Sequence, residues 1–386
     1  MIRCKIFLRA LGMEFVMSDV ISQRLAHLRK VHGIPQSELS EAMGFKDRQT
    51  LSAIESGARR IKADELIRAA SKLGVSPEVF TDPYRLVGEG RFSWRHTDAS
   101  TDELCAFEEK AGVWIAMYRR LCEQRGECNS PILPRMDLTK KSSFEEAQKY
   151  GEELAEQLEL GPIPARNLEV AVQKSLKTLV LHVNSNKGIS GAACQVSKLN
   201  VILINRDESD ERRHFDLAHE LFHILTWDVM PPEHFETTTL PKKREQKRVE
   251  DLANNFAAGL LMPSSALARH LETLPSGISA LTEWLNKLGK ELEVSAVALK
   301  WRLVNLGELS AVDARKIDDS SLRNHGQVLV SRKRPPLFSA VFVETLFWGL
   351  AEGKISARKA ARLLDMTIDD MLCLLDDYGL ETNIDL

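Results

Sequence analysis

Apolar residues return every three or four positions over most of this chain, and only one central stretch breaks that rhythm with short β-branched runs. The pattern predicts helices throughout and a few strands in the middle. From Ile21 to Phe80 the spacing is helical, with Leu25, Leu28 and Val31 along one face and Gly33 closing the helix. The segment IPQSELSEAMGFKDRQTLSAIESG then predicts two short helices. Pro35 and Ser37 suit the start of the first, whose Leu39 and Met43 point inward. Gly44 supplies the turn, Asp47 caps the second helix, Leu51 and Ile54 face the core, and Gly57 ends it. Two short helices about a glycine turn are the pattern of a helix-turn-helix.

Residues 84–94 carry Gly88 and Gly90, lose the helical period and read as a linker. DELCAFEEKAGVWIAMYRRLCEQ and SSFEEAQKYGEELAEQLEL are amphipathic helices, the latter with a capping box of Ser143 and Glu146. TLVLHV and NVILINR predict strands, and GISGAACQVSK between them is a candidate third. DESDERRHFDLAHELFHILTW begins with capping residues and turns helical, so its histidines lie on a helix that follows a small sheet.

Two of these helices carry chemistry. In the second helix of the turn motif, Arg48, Gln49, Thr50 and Ser52 are side-chain types that reach base edges in a major groove. Lys46, Arg59, Arg60 and Lys62 are placed to meet phosphates. A plain helical bundle with a solvated polar face accounts for the same pattern. In DLAHELFHIL, His219 and His223 stand four apart, one above the other on a helix, and offer two imidazole nitrogens to one ion. Glu220 borders that face. This is the HExxH arrangement, in which zinc lowers the pKa of a water and the glutamate takes its proton. Catalytic zinc needs a third protein ligand, and the helix VEDLANNFAAGLLMP offers Glu250. Two satisfied core histidines are the alternative reading.

The global balance adds little: a net charge of −3 does not by itself call for nucleic acid. The six cysteines (Cys4, Cys105, Cys122, Cys128, Cys194 and Cys373) form no CxxC pair and read as free thiols in a reducing compartment. The opening MIRCKIFLRALGMEFVM is broken by Arg9 and Glu14, and no stretch reaches the length of a membrane span. It reads as sequence upstream of an alternative start at Met13 or Met17.

The first region resembles the Cro/C1-type (XRE) repressor family through LSEAMGF, LSAIESGARR and LIRAASKLGVSPEVF, with one extra residue between Gly44 and Leu51. The resemblance implies binding of double-stranded DNA. AFEEKAGVWIAMYRRL, AHELFH and EDLANNFAAGLLMP are similar to the ImmA/IrrE zinc metallopeptidases. That likeness implies Zn2+ held by His219, His223 and Glu250, with Glu220 as the catalytic base. Phe222 stands where members often have glycine, which is expected to narrow the site. The likeness also implies a cytoplasmic regulator with a protein substrate, such as a repressor, a partner regulator or the chain itself. The alternative is a transcription factor whose zinc is structural or sensory.

After the basic segment SRKRPP at 331–336, GKISARKAARLLDMTIDDMLCLLDDYGL repeats the shape of the first region. Its second helix exposes Asp369, Asp370, Asp376 and Asp377, an acidic face that repels phosphate and favours a protein-binding or dimerising role. The expected fold is mainly α with a small β-sheet. It comprises a five-helix helix-turn-helix domain (17–83), a helical connector (84–165), a zincin-like (gluzincin) α+β metallopeptidase domain (166–325) and a small C-terminal helical module (330–386), with no membrane segment and a possible homodimer.

Overall fold

The computed structural model describes residues 20–127, 131–185, 188–237, 244–322 and 334–380. The leading segment 1–19, Cys128 and residues 331–333 of the basic segment lie outside the described residues.

Five helices form the first unit: α1 (20–31), α2 (Gln36–Ala42), α3 (Arg48–Glu55), α4 (Ala63–Leu73) and α5 (Glu78–Thr81). Leu25, Leu28, Leu39, Met43, Leu51, Ile54, Leu73 and Phe80 build a core of their own. Asp47 caps α3 by accepting from the Thr50 amide at 3.0 Å, and Gly44 takes the left-handed φ of 82° that the turn requires. Val31, expected inward, is 66% exposed. It lies six residues beyond Leu25, and at roughly 100° per residue that carries it off the apolar face.

A five-stranded sheet follows, with strands β1 (Gly90–His96), β2 (Thr178–Val183), β3 (Ile189–Val196), β4 (Leu199–Asn205) and β5 (Phe235–Thr237) in the spatial order β2-β4-β3-β1-β5. The β1–β3 and β3–β4 pairs are antiparallel, whereas β2–β4 and β1–β5 are parallel. The segment expected as a linker thus contains most of β1. Its alternation escaped notice because only one face is apolar: Phe92 and Trp94 enter a hydrophobic cluster, while the buried residues on the other face are Ser93 and Arg95.

Both faces of the sheet are covered by helices. After β1 come α6 (Thr101–Arg125), α7 (Phe144–Gln157) and α8 (Pro164–Lys174). After β4 come α9 (Asp210–Thr226) and α10 (Arg244–Leu261). They are followed by α11 (Ser264–Leu271), α12 (Ile278–Leu292), α13 (Ala296–Asn305), α14 (Ala311–Lys316) and α15 (Asp319–Leu322). Val180, Ala193, Ile202 and Ile204 point to the layer made by α7–α15. Leu179, Leu181, Ala192, Cys194, Val201 and Leu203 point to the opposite layer. That second layer is α6 together with α16 (Ala340–Ala351), α17 (Ala357–Leu364) and α18 (Ile368–Asp377).

The C-terminal helices therefore place Phe342, Leu346, Leu364, Met371 and Leu375 in the chain's own core. Phe338 bridges to His182 on β2, and Lys110 on α6 pairs with Asp365 at 2.8 Å. Asp369, Asp370, Asp376 and Asp377 stay exposed, as their spacing indicated. Cys105, Cys122, Cys194 and Cys373 are not joined in disulfides. No helix among the described residues is long and apolar enough to cross a membrane.

Two contacts position the parts that matter below. Helices α7 and α10 meet backbone to backbone: a Cβ on Gly259 would stand 2.2 Å from the Gln148 carbonyl oxygen, and one on Gly151 would stand 2.3 Å from that of Phe256. The Gln148 amide donates to Asn255 Oδ1 at 2.6 Å, so α10 is held in register as well as in distance. At the joint between the first unit and the sheet, the buried Arg24 donates to the carbonyls of Val79 (3.0 Å) and Asp82 (2.9 Å) and to Glu89 Oε1 (2.9 Å). Arg119 of α6 lies 3.8 Å from the same Glu89 oxygen.

Candidate functional site

Ser209 opens α9 by accepting from the Arg212 amide at 3.3 Å, and the helix runs with one face against β3 and β4. From that helix the fully buried rings of His219 and His223 converge, with their Nε2 atoms 3.1 Å apart. Glu250 reaches in from α10: its Oε2 lies 3.4 Å from His219 Nε2 and its Oε1 lies 3.4 Å from His223 Nε2. The three residues that the sequence singled out as metal ligands are thus brought to one point.

These separations suit a cation. Ligands at ~2.0–2.1 Å from a tetrahedral zinc stand about 3.3–3.4 Å from one another. Without an ion, two imidazole nitrogens face each other across a distance that one proton bridges at best. The ring orientation is set from behind, because His219 Nδ1 bonds Asn254 Oδ1 at 3.0 Å and so leaves Nε2 to face the site. Asn254 sits one turn beyond Glu250, so α10 supplies both a candidate ligand and its neighbour's support.

The local electrostatics are steep. Burial drives the His219 imidazole down to about 3, helped by the nearby Arg95 charge and opposed by Glu250. For His223 burial works the same way, but its hydrogen bond to Glu250 and that residue's charge outweigh it and lift the ring to about 9. The carboxyl of Glu250 lies far below the usual range: burial alone would raise it, but hydrogen bonds from Glu236, His219 and His223 prevail. A pocket that holds one imidazole neutral and draws positive charge to the other is suited to a metal cation.

Glu220 is buried beside this cluster, and its Oε1 has no hydrogen-bond partner. Burial pushes its carboxyl up to about 7, against the pull of His223 and Arg95. Gly191 of β3 lies alongside, since a Cβ there would come 3.8 Å from Glu220 Cγ. Phe222 fills the space between α9 and α10, its ring 5.5 Å from that of Phe256.

Four further residues belong to this neighbourhood. Glu236 of β5 is buried, and its carboxylate joins His219, His223 and Glu250 in a group whose ligand atoms all lie within 4.8 Å of one another. Arg95 of β1 donates through Nη1 to Asp216 at 2.8 Å, and Arg212 Nε reaches the other oxygen of Asp216 at 3.0 Å. Asp216 stands three residues before His219 in the helix, a signal the sequence did offer. Arg95 comes from a strand far away along the chain and Glu236 from a strand of three residues, and neither carried one.

In the first unit, Lys46, Arg48, Gln49, Ser52 and Arg60 are exposed around the start of α3 and the turn after it. Thr50 is half-buried, and its hydroxyl lies 3.3 Å from the capping Asp47. Arg59 is held by Glu65 through two bonds of 3.0 and 2.7 Å and lies over the Phe45 ring. Its guanidinium therefore has an intramolecular role whatever else it meets.

Comparison with known proteins gives two matches to family models and one curated relative. Residues 25–80 match the helix-turn-helix model, and residues 173–304 match that of the IrrE N-terminal-like domain. The radiation response metalloprotease IrrE of Deinococcus radiodurans is 36% identical over 107 residues, a stretch covering 27% of this chain and 30% of that protein. The chain accordingly carries a helix-turn-helix domain followed by a domain similar to that of IrrE.

Proposed function

We propose that this protein is a DNA-binding transcriptional regulator whose second domain is a zinc-dependent endopeptidase of the HExxH gluzincin type. The observation that carries the reading is the convergence of His219, His223 and Glu250 at 3.1–3.4 Å beside a buried, unpartnered Glu220 oxygen. His219, His223 and Glu250 would hold the ion, which would supply Lewis-acid polarisation and a lowered water pKa. Glu220 accepts the proton of the attacking water at Oε1 and delivers it to the leaving amine. A carboxyl lifted to about 7 is matched to that task, since a base works best with a pKa near the operating pH. Asn254 keeps His219 in the tautomer that presents Nε2, and Asp216 offsets part of the Arg95 charge, which weakens its repulsion of the cation. The substrate is a protein: a repressor, a partner regulator or another copy of the chain.

Metal analysis of the purified chain should find one zinc per molecule, falling to near zero in His223→Ala. An unchanged content in that variant would sink the assignment of ligands.

DNA recognition falls to the first unit, through Arg48, Gln49, Thr50 and Ser52 at base edges and Lys46, Arg59 and Arg60 at phosphates. Arg48→Ala should weaken binding to a selected operator by ~1–3 kcal/mol while barely changing affinity for bulk DNA. Binding curves on both DNAs check this, and equal losses would make Arg48 a phosphate contact.

A second reading, zinc as a structural or sensory element without proteolysis, is favoured by one observation: the candidate ligand group contains four protein side chains. Structural zinc sites are closed in this way, whereas catalytic ones keep a position open.

A further inference from the structure

We propose that Glu236, carried on β5, is a fourth protein ligand of the metal centre, and that β5 is a removable plug over the position the peptidase reaction needs. The inference rests on the metal-centre reading above and adds its regulation.

Two buried carboxylates lie together here. Glu236 is 3% exposed, Glu250 is also buried, and a carboxylate oxygen of each lies within 4.8 Å of the other. Like charges in contact away from water are unstable unless a proton or a cation sits between them. The two histidine Nε2 atoms face the same spot, and all four ligand atoms fit within 4.8 Å. One cation satisfies every member of the group.

The strand geometry aims Glu236 there. In the parallel β1–β5 pair Trp94 stands opposite Phe235 and Arg95 opposite Glu236. Trp94 belongs to the α6 layer, and Phe235 packs against that same layer. Alternation then puts Glu236 on the α9 face, with Arg95, Asp216 and the histidines.

The strand is also lightly held. It has three residues, lies at the sheet edge and, among the described residues, pairs in the sheet with β1. The carbonyl of His234 accepts from the Trp94 amide at 2.8 Å, and the exposed His234 ring bonds Glu108 at 2.6 Å. Removing β5 would free two things at once: a coordination position and the hydrogen-bonding edge of β1. An exposed strand edge recruits an extended peptide. An extended segment of a protein substrate is thus the competitor that can replace β5 on the β1 edge while its scissile carbonyl takes the vacated position.

The test uses the full-length protein loaded with Co2+, whose visible absorption reports ligand number and type. Glu236→Ala should change the intensity and position of the absorption bands. It should lower Co2+ affinity, in competition with a chelator, by at least the ~10–100-fold that follows loss of a ligand's supporting partner. It should also bind acetohydroxamate at concentrations that leave the parent spectrum unchanged. Glu236→Gln preserves volume and should shift all three readings in the same direction, which guards against a misfolded alanine variant. Spectra, affinity and hydroxamate binding identical to the parent in both variants would reduce Glu236 to a counter-charge for Arg95 and overturn the proposal. A parent protein that binds no Co2+, or binds it as well in His223→Ala, would overturn the metal-centre reading itself.

Discussion

Glu220→Gln is expected to keep its metal and its fold while losing cleavage by a factor on the order of 10²–10⁴, the usual contribution of a positioned general base. Glutamine has the shape of glutamate and fits the same slot against Gly191. It cannot hold the proton taken from water at neutral pH. The buried Oε1 has no hydrogen-bond partner, so the exchange breaks no bond at that atom. Zinc content and thermal unfolding should match the parent, and operator binding should be unaffected because that surface belongs to α3 in a separately cored unit. The measurement is single-turnover cleavage of a protein target by parent and variant at equal zinc loading. Equal rates would remove Glu220 from the mechanism. A parent that cleaves no target in the presence of its host's regulators would favour the sensory reading.

Asp216→Ala is expected to be the most destabilising of the polar substitutions near the site. Asp216 is fully buried and accepts from Arg95 and Arg212 at 2.8 and 3.0 Å. Arg95 is itself buried, and its Nε already lacks a partner. Truncating Asp216 removes the carboxylate paired with a buried guanidinium, a loss of about 3–5 kcal/mol in comparable buried pairs. The metal centre should suffer too, because Arg95 already disfavours positive charge on His219. Urea unfolding of the parent and variant, with zinc removed from both, isolates the structural part. A difference within ~0.5 kcal/mol, the range of ordinary surface substitutions, would refute the argument.

The sequence made legible those parts of the site that lie on helices. His219, Glu220 and His223 occupy one turn of α9, and Glu250 lies in a helix with its own apolar period, so local spacing brought both elements into view. Arg95 and Glu236 were invisible for the opposite reason. Each sits in a short strand whose inward side is polar, and the property that makes them important is their opposition across the β1–β5 pair, which no local window records. The same blindness turned β1 into a linker. Alternation marks a strand only when the two faces differ in polarity in the expected sense, and here a buried arginine stands where an apolar residue should. The helix-turn-helix was read correctly down to the Asp47 cap because caps and glycine turns are local. The role of Arg24 as the clamp between that unit and the sheet was not, since its partners lie 55–65 residues away.

Helices α16 to α18 follow the metal helices in the order of synthesis, yet they cover the rear of the sheet that carries β1 and β5. On the ribosome, His219, His223 and Glu250 emerge while Leu179, Leu181, Val201 and Leu203 still lack much of their covering layer. The scaffold behind the ligands is completed only when the segment from Phe338 to Leu375 has left the tunnel and docked against α6. Shortening the protein from its C-terminal side is therefore expected to loosen the sheet behind the candidate metal centre without touching any residue near it, and would be mistaken for the loss of a separate tail.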